Sequence, residues 1–180
     1  MNRIKLSIIT TLYHSATCIE EFHARATASA RQLVGDDYEI VFVDDGSPDE
    51  SLKKATELIE KNSKLKVIEL SRNFGHHKAM MTGLSHTTGD LVFLIDSDLE
   101  EEPEWLLSFA EKLDKGNFDV VYGVQRTRKG SFFEKLTGSI YYKFLNLISN
   151  VDQPPNIVTA RLMKKNYVKS LIAHQERNPV

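Results

Sequence analysis

The sequence predicts an α/β fold, with a mostly parallel sheet covered by helices on both faces. Three observations carry this. The strand candidates are solidly apolar instead of alternating, as strands buried on both faces must be. Helical patterns separate successive strands, as parallel pairing requires. The 180 residues, 41% hydrophobic and 27% charged, suffice for one domain with a real core.

Leu6–Leu12 is the first strand, followed by a helix around Ala16–Leu33. Tyr38–Val43 (YEIVFV) is the second strand and ends on DDGSPDE. There Ser47 is placed to cap a helix, with Pro48 at its first position and Glu50 completing a capping box. That helix runs to about Lys61. Lys66–Leu70 is the third strand, SRNFG its exit loop, and His77–His86 a short helix. Leu91–Ile95 is the fourth strand, and Pro103 opens a helix to about Lys115. Asp119–Val124 is a fifth strand. Ser131–Ser149 and Tyr167–His174 read as helices, and Gln153-Pro154-Pro155 as a loop. No internal repeat or low-complexity segment interrupts the pattern.

The formal net charge is only -2, but its distribution is uneven. Asp90–Asp119 holds ten acidic residues against two basic, and Arg126–Lys169 nine basic against two acidic. This suggests an acidic, cation-holding edge beside a surface that meets an anion. Two solvated faces of opposite sign are the ordinary alternative. Cys18 is the single cysteine, so no disulfide or Cys-based metal site forms within the chain, and a reducing compartment fits. The N-terminal MNRIKLSIITT reads as a strand, not a signal peptide. No apolar run is long enough to span a membrane.

In sheets of this kind, ligands sit outside the carboxyl ends of the strands. Those ends carry the chemistry here. After Leu91–Ile95, six carboxylates fall within Asp96–Glu104. If the chain stays extended through Asp98, Asp96 and Asp98 point to one side. That would make a site for a hard cation, Mg²⁺ or Mn²⁺. Glu102 and Glu104 flank Pro103 at a helix start, where negative charge is favoured in any case. At the second strand end, one of Asp44 and Asp45 can accept a ligand N–H while the other orients a loop. Both also suit a plain turn. In RNFGHHKAMMTG, Arg72, Gly75 and Lys78 precede or open a helix, an arrangement that suits phosphate. His76 and His77 lack metal-ligand spacing and suit solvent or phosphate. Neither a Walker A loop nor G-x-G-x-x-G is present.

Taken together, SIITTLYH, IVFVDDGSPDES, LSRNFGHHKAMMTGLSHTTGDLVFLIDSDLEEEPE and, more loosely, VYGVQRTRKG with FFEKLTGSIYYKFLN resemble the family-two glycosyltransferases of GT-A fold. Within them the likeness is strongest to the polyprenyl-phosphate (bactoprenol and dolichyl-phosphate) glycosyltransferases. The resemblance implies a three-layer, Rossmann-like α/β/α domain over residues 1–180, as the N-terminal part of a longer chain. It implies a metal-dependent, inverting hexosyl transfer from a nucleoside-diphosphate sugar, typically UDP-linked, to a polyprenyl phosphate. It places Thr10, Thr11, Tyr13, Asp44, Asp45, Arg72, Gly75 and Lys78 around the nucleotide. Asp96 would face the sugar or ribose, and Asp98 would hold Mg²⁺ or Mn²⁺, with Glu100 beside it where relatives usually carry Gln. Arg126, Arg128 and Arg161 would bind the acceptor phosphate. A cell-envelope role on the cytoplasmic face of the inner membrane follows, with no nucleic-acid partner and with homo-oligomerisation open.

One departure affects catalysis. Thr159 stands where relatives carry an aspartate, and threonine is no general base near neutral pH. A phosphate acceptor needs little deprotonation, whereas a sugar hydroxyl needs a base. Asp152 or Glu101 would have to serve in that second case. The helix 131–149 fits either ordinary packing on the sheet or an interfacial position, with Lys135 and Lys143 at anionic head groups. Two other readings are a glycan hydroxyl as acceptor and a nucleotide-sugar-binding module without catalysis. A phosphoacceptor receiver domain is excluded, because Thr10-Thr11 stands where its acidic pair belongs.

Overall fold

The computed structural model describes residues 5–124 and 157–174. Among them are six strands: β1 (Leu6–Leu12), β2 (Tyr38–Asp44), β3 (Leu65–Glu69), β4 (Leu91–Leu94), β5 (Val120–Val124) and β6 (Ile157–Lys164). The described helices are α1 (Ile19–Val34), α2 (Ser51–Lys61), α3 (His76–Ser85), α4 (Trp105–Lys115) and α5 (Lys165–Ala173). The strands form one sheet in the order β3-β2-β1-β4-β6-β5. β1 pairs in parallel with β2 and β4, and β2 with β3. The mostly parallel α/β expectation therefore holds. The chain divides into two compact units, Met1–Val121 with Ala160–Val180, and Tyr122–Thr159. In the second unit, the described residues are Tyr122–Val124 and Ile157–Thr159.

Both faces of the central strands are apolar, and alternation sorts their side chains into two layers. Ile9, Val41, Val43, Val92, Leu94 and Met163 join a buried cluster with Ala79 and Leu84 of α3 and Val168 of α5. Phe42 and Phe93 belong to the other layer, where they meet Phe22 of α1 and Phe109 of α4. Each such buried aromatic contributes about 2 kcal/mol by removal from water. Buried residues recur at helical spacing along α1 (Ile19, Phe22, Ala26, Ala30) and α4 (Leu106, Phe109, Leu113). Gly83 lets α3 approach the sheet: a Cβ there would lie 2.1 Å from Ile9 Cδ1.

Two expectations are corrected. β6 was not anticipated as a strand. It runs antiparallel to β4, with Leu91 opposite Lys164 and Leu94 opposite Arg161. Only Ala160, Leu162 and Met163 of it are buried, so it lacks the continuous apolar run of the parallel strands. The helix after β2 begins at Ser51, not at Pro48, and Ser47 does not cap it. The N-cap position is Glu50, without a side-chain cap, and Asp49 just before it accepts the Ser51 N–H at 3.1 Å. The 131–149 helix, Arg126, Arg128 and Asp152 lie outside the described residues.

At the sheet end away from the strand carboxyl termini, Glu39 of β2 is 1% exposed. Its Oε1 accepts from Ser7 Oγ at 2.6 Å and from the N–H and hydroxyl of Thr88, at 2.7 and 2.8 Å. Its Oε2 pairs with Lys66 Nζ. One carboxylate thus joins β1, β2, β3 and the turn entering β4.

Candidate active site

β1 lies between β2 and β4, so the chain moves outward through β2 and β3 and then crosses back. A crevice forms at the carboxyl ends of strands where the order reverses. An open cleft of about 260 Å³ lies there, within the first compact unit. Thr11, Tyr13, His14 and Ser15 line one side, Asp96, Ser97 and Asp98 another, with His76 and Cys18 completing it.

Hydroxyl contacts of long sequence separation hold these walls together. Ser97, the middle residue of Asp96-Ser97-Asp98, is 5% exposed. Its Oγ donates to Thr11 O at 3.0 Å and lies 2.9 Å from Ser15 Oγ. The Ser15 N–H donates to Ser51 Oγ at 2.9 Å, and the His14 N–H to Ser47 Oγ at 2.8 Å. Ser47 and Ser51 both donate onto Asp49, which also accepts the Ala16 N–H at 3.1 Å. Burial opposes ionisation of Asp49, but these donors win and hold its carboxyl well below the usual range. His14, held by this network, has φ 56, a left-handed conformation on the cleft wall.

The chain does not stay extended through Asp98. β4 ends at Leu94, and Leu99 turns back with φ 63. Strand alternation therefore does not align the two aspartates; a turn pinned by Ser97 brings both to the cleft. Asp98 is exposed and accepts the Glu100 N–H at 3.0 Å. Glu100 is exposed and is not among the cleft-lining residues. Glu101 is 6% exposed, with Oε2 3.4 Å from the Asp96 N–H. It holds the loop at Asp96 and is not among the cleft-lining residues. Glu104 receives Arg25 Nε and Nη2 at 2.9 and 2.7 Å, and so joins α4 to α1. The six carboxylates of this stretch thus divide by position.

Asp44 and Asp45 separate as two adjacent strand-end residues should. Asp45 accepts the N–H of Phe74 at 2.7 Å and of Gly75 at 3.0 Å, so it shapes the loop after β3. Asp44 is 2% exposed and is not among the cleft-lining residues. One oxygen accepts the Ser47 N–H at 3.2 Å, while Oδ1 is buried with no partner among the described residues. Burial chiefly pushes its carboxyl up, helped by the charges of Glu69 and Asp49 and opposed by the Ser47 and Gly46 N–H groups. Such an orphaned acceptor costs free energy unless a ligand meets it.

Arg72 is exposed and lies over the Phe74 ring at 4.8 Å. Gly75, at φ 97, precedes α3, and Lys78 is exposed in its first turn. Thr10 is fully buried in β1 and does not line the cleft. Arg161 is half-buried on β6 opposite Leu94, and Thr159 is half-buried on the same strand. Burial pushes the Cys18 thiol up, as does the Asp98 charge, which disfavours a nucleophilic thiolate.

Gly46 has a structural role that its sequence context did not reveal. At φ 65, a Cβ on it would lie 2.6 Å from both Arg72 C and Asn73 N. The exit loops of β2 and β3 cross there. Gly46→Ala should therefore cost about 2–4 kcal/mol, from left-handed strain plus overpacking. The drop in urea midpoint measures it.

A cation fits this cleft chemically. Among the described residues no group of three or more His, Cys, Asp or Glu is placed to hold a metal ion by itself. Mg²⁺ and Mn²⁺ take one or two carboxylates and complete their shells with water and phosphate oxygens. Asp98, exposed on the cleft wall, is suited to that.

The sequence model of glycosyl transferase family 2 matches residues 7–172, so the chain belongs to that family. A Mycobacterium tuberculosis protein whose name places it among glycosyltransferases is 50% identical over 174 residues, 97% of this chain and 51% of its own. The undecaprenyl-phosphate 4-deoxy-4-formamido-L-arabinose transferase of an Enterobacter species is 31% identical over 97% of this chain and 53% of its own. The chain thus spans about half the length of the curated relatives it matches. Its fold is the GT-A fold. It resembles M. tuberculosis glucosyl-3-phosphoglycerate synthase, solved with Mn²⁺, UDP and glucosyl-3-phosphoglycerate. That match has TM-score 0.63 and 19% identity, and covers 90% of this chain and 57% of the other. Among the described residues, no helix is long and apolar enough to cross a membrane.

Proposed function

We propose that this chain is the catalytic domain of an inverting glycosyltransferase. Its donor is a nucleoside-diphosphate sugar, UDP-linked, and its acceptor a polyprenyl phosphate at the cytoplasmic face of the membrane. The observation that carries the reading is the cleft at the sheet's reversal point, with Asp96 and Asp98 held in it by buried Ser97. Asp44 Oδ1 supports the choice of base, because an unpaired buried carboxylate oxygen suits the N–H of uracil. Thr11 and Tyr13 would flank the nucleotide; Arg72, Gly75 and Lys78, which are not among the cleft-lining residues, would serve its phosphates. Asp45 acts indirectly, through the loop. Asp96 faces the sugar or ribose. Mg²⁺ or Mn²⁺ on Asp98 would supply positive charge to the departing diphosphate.

In the transfer, an acceptor phosphate oxygen attacks the anomeric carbon from the face opposite the nucleotide. The bond from that carbon to the diphosphate breaks, and the nucleoside diphosphate leaves with the electron pair. A phosphate nucleophile is already anionic, so Thr159 in place of a carboxylate is no handicap. Arg161, with Arg126 and Arg128, would bind that phosphate. The name of the 31%-identical relative supports this acceptor class.

Radiolabelled transfer tests the reading, with UDP- and GDP-sugars offered against polyprenyl phosphate or a glycan acceptor. Label entering the lipid from a UDP-sugar is expected. Transfer only to the glycan would overturn the acceptor. Donor binding by calorimetry, with neither transfer nor hydrolysis, would overturn catalysis.

A further inference from the structure

His76 has no role in the scheme above, yet it joins two walls of the cleft. Its Nδ1 lies 3.0 Å from Thr11 Oγ1 at the end of β1. Its Nε2 lies 3.4 Å from Asp96 Oδ1 beyond the end of β4. The second is an ion-pair contact, within Coulombic reach but outside hydrogen-bond geometry. His76 is the first residue of α3, behind Gly75, whose N–H is held by Asp45. The imidazole is therefore placed by a loop that is itself anchored.

With the proton on Nε2, the ring turns its N–H edge toward the Asp96 carboxylate and leaves Nδ1 to accept the Thr11 hydroxyl proton. The opposite neutral tautomer would face a bare nitrogen toward a carboxylate. The side chain is 51% exposed, so packing alone does not explain its position.

We propose that His76 is a positioning residue for the donor reaction: it sets the orientation of Asp96 and ties it to Thr11. The inference rests on the cleft being the donor site. Partners of this kind, acting through a residue that touches the ligand, are worth roughly 10–100-fold in activity where measured at metal centres. His76→Ala should lower kcat/KM for the nucleotide sugar by roughly that factor. His76→Gln, whose amide both donates and accepts, should recover most of the loss.

The deciding measurement is a double-mutant cycle with Asp96→Asn. If His76 acts through Asp96, its removal should have little further effect in the Asp96→Asn background. Fully additive losses, or no rescue by glutamine, would overturn the proposal. Imidazole ¹⁵N shifts of the free wild-type protein give a readout independent of turnover and of how the variants fold. The Nε2–H tautomer is expected, and it should be perturbed by Asp96→Asn; an Nδ1–H tautomer would overturn the contact. If the wild type turns over no nucleotide sugar, the donor-site assignment fails and the role in transfer fails with it. The ¹⁵N shifts still show whether the Thr11–His76–Asp96 chain exists.

Discussion

Asp98→Ala is expected to lower nucleotide-sugar turnover by roughly 10²–10³-fold at saturating Mn²⁺ or Mg²⁺, with the fold intact. The size follows from chemistry: charge stabilisation by a bound cation is worth several kcal/mol, and each 1.36 kcal/mol is tenfold in rate. The intact fold follows from position. Asp98 is exposed, and its hydrogen bond is to the Glu100 N–H, which solvent can replace. Its removal should therefore change stability by less than about 1 kcal/mol. Unaltered turnover in the variant would remove Asp98 from cation binding. Glu100→Gln is the informative companion. Its side chain is not among those lining the cleft, so a small effect is expected.

The parts of this site visible in the sequence share one property: they lie where a solid apolar run stops. Ile95 before Asp96 and Val43 before Asp44 mark the carboxyl ends of buried strands, and those ends surround the cleft. The residues that hold the cleft in shape carry no such mark. Ser15 and Ser97 are 82 positions apart, and Thr11 and His76 are 65 apart. No local periodicity connects them. Ser47 looks like a helix cap because its neighbours fit that pattern, yet its hydroxyl is engaged by the β1 exit loop instead. Gly46 reads as a turn glycine, whereas its demand comes from the backbone of Arg72 and Asn73 passing over it. β6 is silent in the sequence for a related reason. As an antiparallel strand with three buried residues, it lacks the apolar continuity that marks the parallel ones.

The largest stability effect is expected far from the cleft, at Glu39. Glu39→Ala should cost about 3–5 kcal/mol, chiefly because buried donors lose their acceptor at about 1–3 kcal/mol each; Lys66 is 50% exposed and adds little. The variant would leave Ser7 Oγ and the Thr88 N–H without their acceptor, and Lys66 without its counter-charge. Ser7 also accepts the Gly89 N–H at 2.8 Å, so the turn entering β4 loses its anchor as well. Burial alone would push the Glu39 carboxyl up, but the donors from Lys66, Ser7 and Thr88 outweigh it and bring it below its usual value. The folded protein therefore binds this proton less readily than the unfolded chain. The stabilisation is fully present above the unfolded pKa of about 4.5 and is lost as pH falls toward the lower folded one. Urea midpoints of the wild type should fall across that interval, and those of Glu39→Gln should fall less. Glu39 also separates frame from site. Because it joins β1, β2 and β3 at the end opposite the cleft, its loss should lower the midpoint before it changes donor affinity. A folded Glu39→Gln protein with a weakened donor site would instead mean that the two ends of the sheet are coupled.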